Sequence, residues 1–490
     1  MKREREVRDG PRHGSAARGM LWLLAQMACG RAALFLSQII LARLLSPEDF
    51  GSVGLTYTIT AIIASFTASG IGDVLLQRSR TFHLWAWPAF WIDVILASIG
   101  VALVLFLAPL GARLYGAPEI TGLASVLAVA MPLAALSTVP LTAIRLLLNF
   151  RLLAMIGTAE ILAAQSLSIL LAWYGMGSYS FVVPVPIVAA FKTVWLWTTV
   201  RPCMHRPQPR RAWVYLIKSG LLVWSVRLVN ALIGQGDYFM LGLFASREDV
   251  GLYFFAFRLS AQPLLALANN FRSVLYPILA QLRSQPREQY QRAIRASQTL
   301  AAMIFFVACL QAALAAPLLH LLFHHRWNGS ICLVQILSLA LSFDAVPWVA
   351  GALLDARREF WKTLICALVA FPWFFILVGL GAWLGRARGV AVAVGLYYAV
   401  FGPCYSFVAM RGGGANLLSI LRIYGAPLIL ACSAVTAAYS VAYLLHENIV
   451  QAVSLVAMAT AFYAGLLRVC MPQTFSAIVA QANSVISRPR

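Results

Sequence analysis

Three cations stand near the middle of long apolar runs of this chain, far from the polar flanks of those runs. Arg31, Lys192 and Arg227 each lie roughly 18–20 Å deep, at a helical rise of about 1.5 Å per residue. A cation at that depth costs about 3 kcal/mol or more, and it is usually retained only where it faces a polar interior or cavity. These residues therefore indicate a cationic site for an anion that crosses a membrane. Arg258 is a fourth candidate, nearer the outer side.

The same cations have a second interpretation, in which each neutralises a buried carboxylate. Asp93, Asp344 and Glu160 also lie inside apolar runs and are the available partners. Asp93 and Asp344 are in addition candidates for coupling transport to a proton or a sodium ion. For both aspartates, a structural role as a hydrogen-bonded carboxylate is favoured over ion coupling. For the cations, substrate binding and charge pairing both stay open.

The composition excludes a water-soluble globular domain, since 61% of the 490 residues are hydrophobic, 11% are charged and the mean hydropathy is +0.80. The net charge of +21 resides in short loops between apolar runs, so we expect no nucleic-acid partner. The eight cysteines stand singly, and His320, His324 and His325 have no thiol or carboxylate close in sequence. We therefore expect no disulfide framework, no metal site and no cofactor.

Apolar stretches of about 20 residues recur along the chain, and each is long enough to cross a bilayer as a helix. The predicted spans, about fourteen, are 19–43, 52–77, 85–110, 120–144, 153–173, 179–200, 214–242, 251–276, 297–323, 330–354, 361–384, 389–410, 421–445 and 449–470. Most Lys and Arg residues fall in the tails and alternate loops, which predicts cytoplasmic termini by the positive-inside rule. The outer loops are then too short to hold an external catalytic domain.

A short repeat divides the chain. The segment Ser46-Pro47-Glu48-Asp49-Phe50-Gly51 recurs 200 residues later, in an equivalent outer loop, as Ser246-Arg247-Glu248-Asp249-Val250-Gly251. This predicts two parallel six-span halves with a substrate site between them near the midplane. Arg227 then corresponds to position 27, which shares a helix face with Arg31. The predicted segments are a basic tail (1–18), an N-lobe (19–200), a linker (201–213), a C-lobe (214–410), a helix pair (411–470) and a cytoplasmic tail (471–490).

A longer signature surrounds the first copy of the repeat, from Ser37 to Gly51. Further motifs are Gly70-Ile71-Gly72, Leu76-Gln77-Arg78, Gly236-Asp237-Tyr238, Val250-Gly251-Leu252-Tyr253, Tyr276-Pro277 and Leu321-Leu322-Phe323 with Trp327. Together they resemble the polysaccharide transporter family, which includes the O-antigen and exopolysaccharide flippases. That family is part of the multidrug/oligosaccharidyl-lipid/polysaccharide exporter superfamily. The resemblance covers residues 18–360 well and the last four spans mainly by topology.

The resemblance implies an all-α polytopic membrane protein of the bacterial inner membrane, with two six-helix lobes in a V-shaped arrangement and two C-terminal helices. It implies a non-enzymatic flippase that moves undecaprenyl-diphosphate-linked oligosaccharide repeat units to the periplasmic leaflet. The diphosphate would meet Arg31, Arg227, Lys192 and Arg258, and spans 13 and 14 would form a groove for the polyprenyl tail. Membrane lipids, a polysaccharide polymerase and chain-length machinery are the other expected partners.

Other classes of function stay open at this point. A cation-coupled multidrug exporter and a lipid II flippase belong to the same superfamily, although the exporter would favour acidic cavity residues over basic ones. A membrane-embedded glycan polymerase or ligase would need a catalytic periplasmic loop. The chain has no Walker, HExxH or GxSxG motif, which leaves an ATP-driven pump or a glycosyltransferase without visible machinery.

Overall fold

The computed structural model describes residues 13–67, 72, 75–76, 81–147, 149–200, 210–323, 326–442 and 448–486. Within its helices, the side chains of residues 13–25, 28, 210–223, 226–227, 448–449 and 481–486 lie outside the described part. All regular secondary structure in the described residues is helical.

The long helices follow the predicted spans one by one, and one more helix follows the last span. They are α1 (His13–Leu44), α2 (Pro47–Thr67), α3 (Phe82–Leu114), α4 (Glu119–Leu146), α5 (Phe150–Trp173), α6 (Tyr179–Thr199), α7 (Arg210–Phe244), α8 (Arg247–Gln281), α9 (Pro286–Phe323), α10 (Asn328–Arg357), α11 (360–384), α12 (387–410), α13 (Leu417–Ala442), α14 (Asn448–Cys470) and α15 (Pro472–Ile486). The prediction of about fourteen spanning helices is thereby confirmed, while α15 was not predicted.

The helices have the length and composition of membrane spans. Eleven helical stretches in the described residues are long and apolar enough to cross a membrane. One of them, Phe360–Gly413, contains both α11 and α12, and α1 and α7, which are only partly described, complete the set of fourteen. A helix satisfies all its backbone hydrogen bonds internally, so a chain this apolar adopts helices throughout the hydrocarbon.

The hairpin of α11 and α12 depends on two glycines in the helices on either side of its turn. Helical geometry fails only at Gly385 and Arg386, and Arg386 has a φ of 48°, a left-handed conformation that costs a non-glycine residue energy. Close to the turn the two helices meet backbone to backbone, because a Cβ atom on Gly381 would lie 2.5 Å from the carbonyl oxygen of Gly389. Two glycines thus permit a hairpin of two long helices with almost no loop.

The helices pack into two compact units, Met1–Phe239 (unit 1) and Met240–Arg490 (unit 2). The division falls inside α7, whose first part packs with unit 1: the Trp224 indole nitrogen donates to the Phe66 carbonyl oxygen at 3.0 Å, and Phe239 makes an edge contact with Tyr115. The predicted linker 201–213 lies largely outside the described residues. The lobe boundaries drawn from the sequence therefore stay a prediction.

The last spans are built into the core of unit 2. The ring of Tyr463 on α14 stacks on Phe306 of α9 at 4.5 Å, and its hydroxyl donates to the Ala302 carbonyl at 2.7 Å. Tyr424 on α13 stacks on Phe343 of α10. Residues of α13 and α14 belong to the same hydrophobic cluster as residues of α8, α9 and α10.

Candidate functional site

The repeated sequence motif forms a helix cap in each unit. In unit 1 the backbone amide and hydroxyl of Ser46 both donate to the Asp49 carboxylate, and the Asp49 amide donates back to the Ser46 hydroxyl at 3.1 Å. In unit 2 Ser246 and Asp249 make the same hydroxyl–carboxylate and amide–hydroxyl contacts. This reciprocal arrangement is a capping box, which satisfies free amide groups at the first turn of α2 and α8.

Each capping aspartate also contacts the tip of a distant hairpin. The Ser178 hydroxyl, between α5 and α6, donates to Asp49 at 3.1 Å. Arg386, between α11 and α12, lies 4.0 Å from Asp249. Gly177 has a φ of +53°, and a Cβ there would lie 2.9 Å from the Asp49 carboxylate oxygen, so this turn requires glycine. The motif therefore contacts the turn of the α5–α6 hairpin in unit 1 and that of the α11–α12 hairpin in unit 2.

Arg31 lies where α1 packs closely along α5. A Cβ on Gly30 would lie 2.8 Å from Cδ1 of Ile161, and one on Gly157 would collide with the Gln26 amide. These two glycines let the helices approach closely. Arg31, which follows Gly30, is partly buried, and it stands at the level of Ile161 on the neighbouring helix.

Lys192 forms an ion pair with a carboxylate on the adjacent span. Its Nζ lies 2.8 Å from Oε2 and 3.0 Å from Oε1 of Glu160 on α5. The Lys192 side chain is 23% exposed and that of Glu160 is 40% exposed. Lys192 therefore has the carboxylate partner that the second interpretation of the cations requires. The two side chains nevertheless remain partly exposed.

The neighbour of Lys192 anchors α6. The Thr193 hydroxyl lies 2.8 Å from that of Ser137 and 2.9 Å from the Leu133 carbonyl oxygen, both on α4. One turn further on, the Trp197 indole donates to the Leu136 carbonyl at 3.0 Å. These bonds set the rotation of α6, and with it the direction in which Lys192 leaves the helix. Sequence reasoning missed this anchor, whose signal was the small hydroxyl residues inside apolar spans.

The other predicted cations are placed less closely. Position 227 lies on α7, within unit 1, but the side chain of Arg227 is outside the described part of the structure. Arg258 lies on α8 in unit 2, partly buried, with its guanidinium 5.4 Å from the centre of the Phe254 ring. The described residues thus place Arg31 and Lys192 in one packing unit and Arg258 in the other.

The predicted coupling carboxylates lie in separate units. Asp93 on α3 is buried, with 9% of its surface exposed. Asp344 on α10 has a hydrogen bond with the Trp348 side chain, one turn further along. His320 is exposed at the end of α9, while His324 and His325 lie outside the described residues. Among the described residues, no three His, Cys, Asp or Glu side chains are grouped as metal ligands.

An apolar groove opens between α9 and α14. Its volume is about 380 Å³, and it is lined by Leu314, Leu318, Ala452, Val453, Val456 and Ala457. The sequence resemblance implied a groove between spans 13 and 14. The groove that the described residues form is lined by α9 and α14 and includes no residue of α13, so it is a different groove from the implied one.

The chain has relatives among known proteins. The sequence pattern of a family described as "Polysaccharide biosynthesis protein" matches residues 40–332. The succinoglycan biosynthesis transport protein ExoT of Rhizobium meliloti (strain 1021) is 24% identical over 407 residues, which cover 81% of this chain and 80% of ExoT. The lipopolysaccharide biosynthesis protein WzxC of Escherichia coli (strain K12) is 20% identical over 324 residues, or 65% of each chain.

Two solved structures have the same fold. The lipid II flippase MurJ in an inward closed conformation aligns with a TM-score of 0.73 at 13% identity, covering 92% of this chain and 99% of MurJ. An inward-facing multidrug resistance transporter of the MATE family aligns with a TM-score of 0.61 at 17% identity, covering 82% of this chain and 99% of the transporter. The expected all-α polytopic membrane fold is thereby confirmed.

Proposed function

This chain belongs to the polysaccharide biosynthesis protein family, and on that premise we propose that it is a flippase for lipid-linked oligosaccharides. It moves undecaprenyl-diphosphate-linked repeat units from the cytoplasmic to the periplasmic leaflet during synthesis of a surface polysaccharide. The observation that carries the proposal is the basic character of the mid-span positions, with Arg31 and Lys192 in unit 1. The diphosphate is the negatively charged part of such a lipid, so a protein that binds it has to supply cations. One guanidinium group can donate hydrogen bonds to two phosphate oxygens at once.

The membrane potential is sufficient to drive the net step. A diphosphate diester carries about two negative charges, and an inside-negative potential of about 150 mV favours their outward movement. At about 2.3 kcal/mol per charge per 100 mV, the gain is roughly 7 kcal/mol. A coupled proton or sodium ion at Asp93 or Asp344 is therefore not required for the direction of transport.

The charge of the mid-span residues separates this proposal from its main rival. A multidrug exporter has the same fold, as the MATE likeness demonstrates, so the fold alone does not decide between them. A site for cationic drugs would present carboxylates, whereas Arg31, Lys192 and Arg227 present cations. The similarity to ExoT and WzxC, whose names place them in polysaccharide synthesis, supports a glycan substrate over lipid II.

The proposed role requires transport without chemistry on the sugar. The turns that join α5 to α6 and α11 to α12 comprise only a few residues, which leaves no room there for a catalytic domain. Bond formation would then fall to a separate polymerase, and control of polymer size to chain-length machinery, both acting on the exported unit. We place the chain in the bacterial inner membrane, where undecaprenyl-linked intermediates are made.

Deletion of the gene tests this proposal. We expect loss of the surface polysaccharide together with accumulation of undecaprenyl-diphosphate-linked repeat units, because their synthesis continues while their export stops. Thin-layer or mass-spectrometric analysis of extracted lipids measures the accumulation, and a plasmid copy of the gene should reverse it. Loss of the polymer with no lipid-linked intermediate would place the protein at another step, and an unchanged polymer would exclude the role.

Reporter fusions test the orientation. We expect fusions at Gly175 and Asn328 to report the periplasm, and fusions at Gln285 and Gly413 to report the cytoplasm, because basic residues concentrate on the side of the latter. Paired alkaline phosphatase and fluorescent-protein fusions at each site give opposite signals and control for expression. A cytoplasmic signal at Asn328 with a periplasmic one at Gln285 would invert the arrangement.

A further inference from the structure

The ion pair between α5 and α6 lies deep within its spans. Glu160 follows the start of α5 by ten residues, and Lys192 precedes the end of α6 by seven. At about 1.5 Å per residue, Glu160 and Lys192 are roughly 15 Å and 10 Å from the helix ends that the positive-inside rule assigns to the cytoplasm, and Lys192 is roughly 20 Å from the opposite end of α6. An ion pair at this depth either serves a function or only neutralises two buried charges. The exposed fraction of its side chains helps to decide between these roles.

The exposure of the pair indicates access from a polar space. A sealed structural pair would be buried on all sides, yet Glu160 is 40% exposed and Lys192 is 23% exposed. Charged groups are costly to present to hydrocarbon, so the open side faces water or a polar ligand. A second anion can approach the Lys192 ammonium from that side and compete there with Glu160.

The surroundings give this ammonium a fixed direction, and a second cation stands at the same level of α5 on another helix. Thr193 and Trp197 hold α6 against α4, so Lys192 cannot turn away with its helix. Arg31 on α1 stands at the level of Ile161, the residue after Glu160. Two cations and one carboxylate thus occupy one level of unit 1, and the carboxylate is the only one of the three that repels a diphosphate.

We propose that Glu160 is an internal competitor of the substrate, which holds Lys192 while the site is empty and is displaced when the lipid diphosphate binds. The inference rests on the proposed function and adds a regulatory residue to it. The carboxylate stabilises the ammonium in the empty protein. It also lowers the affinity for the diphosphate, because the Lys192–Glu160 ion pair must break before Lys192 can bind the substrate. The pair forms again as the diphosphate leaves. The residue therefore lowers affinity and favours release.

Competition predicts a gain of affinity when the carboxylate is removed, which a purely structural pair does not. The test uses farnesyl diphosphate as a short isoprenoid diphosphate probe, with purified full-length protein in lipid nanodiscs and binding followed by calorimetry. Glu160→Gln should bind the probe about tenfold more tightly than the unaltered protein. Lys192→Gln should bind it at least about tenfold more weakly. Glu288→Gln, which removes an exposed carboxylate paired with Arg292, is the matched control and should leave binding unchanged.

The double variant Glu160→Gln, Lys192→Gln makes the test specific. It should bind no more tightly than Lys192→Gln alone, because without the ammonium there is nothing to unmask. If Glu160→Gln does not fold, Glu160→Asp withdraws the carboxylate by one methylene and should give a smaller gain of the same sign. Unchanged or weaker binding in a folded Glu160 variant, or a gain that persists without Lys192, would overturn the inference.

Failure of the inference differs from failure of the proposed function. If the unaltered protein binds farnesyl diphosphate and Glu160→Gln binds it equally, only the competitor role is removed and the flippase proposal stands. If neither the unaltered protein nor any variant binds the diphosphate, and deletion leads to no lipid-linked intermediate, both are overturned.

Discussion

Replacement of Arg31 and Arg227 together by alanine is expected to reduce glycan export to background while the protein stays in the membrane at near-normal abundance. Each charge-assisted contact with phosphate contributes about 1.5–3 kcal/mol, or roughly 10- to 150-fold in affinity, and loss of both exceeds what Lys192 can supply. Export is measured as surface polysaccharide per cell, and abundance by immunoblot of membranes. Arg292→Ala, which removes an exposed arginine paired with Glu288, is the control and should export normally.

Graded substitutions separate charge from geometry at the two positions. Arg→Lys keeps the charge but loses the planar fork of donors, so partial export is expected; Arg→Gln should export very little. If Arg31 serves instead to neutralise a carboxylate, Arg31→Ala should lower abundance, and a second change at Asp93 should restore abundance and export together. Full export by the double alanine variant would contradict the cationic site.

Replacement of Gly389 by valine is expected to prevent accumulation of folded protein. A side chain at Gly389 would point into the carbonyl group of Gly381 on the facing helix, so the backbones of α11 and α12 would have to separate. Overpacking usually costs about 1–3 kcal/mol, and the cost is higher here because no side-chain rotation relieves contact with a backbone. We expect the amount of monodisperse protein after detergent extraction to fall about tenfold or more.

Gly385 in the same turn is the matched control for this variant. A methyl group added at Gly385 would have no neighbouring atom within 4 Å, and the residue has a φ of −141°, which other residues adopt. Gly385→Ala should therefore give normal amounts of extracted protein. Equal yields from Gly389→Val and Gly385→Ala would mean that the two helices do not cross at these glycines.

The spans were predictable from sequence because hydropathy and length determine them. Inside a bilayer a helix is the simplest solution for a single segment, so an apolar run such as Phe150–Trp173 becomes one whatever its neighbours are. The α15 helix was missed for the same reason, since its 15 residues are too short for a span and it follows the last one. Its Phe475 and Ile478 pack against the core of unit 2, and such tertiary contacts have no hydropathy signal.

The candidate site was predictable only in part. The depth of Arg31 and Lys192 is a property of sequence, but the choice of Glu160 as partner depends on the rotation of α6, which Thr193 sets by contacts to α4. The repeat could be recognised from a six-residue segment of the sequence. That it caps a helix and also contacts the turn of a distant hairpin became known only from the structure. Pairwise geometry between distant segments is what one sequence does not contain.

Transport by the purified chain is the most direct test of the central claim. Lipid-linked repeat units extracted from the deletion strain are placed in liposomes with or without the protein, and a membrane-impermeant periodate reagent oxidises the sugars in the outer leaflet. We predict that the protein raises the accessible fraction above that in protein-free liposomes, that an inside-negative potential increases it further, and that the Arg31→Ala, Arg227→Ala variant matches protein-free liposomes. Equal oxidation with and without the protein, under an imposed potential, would contradict the account.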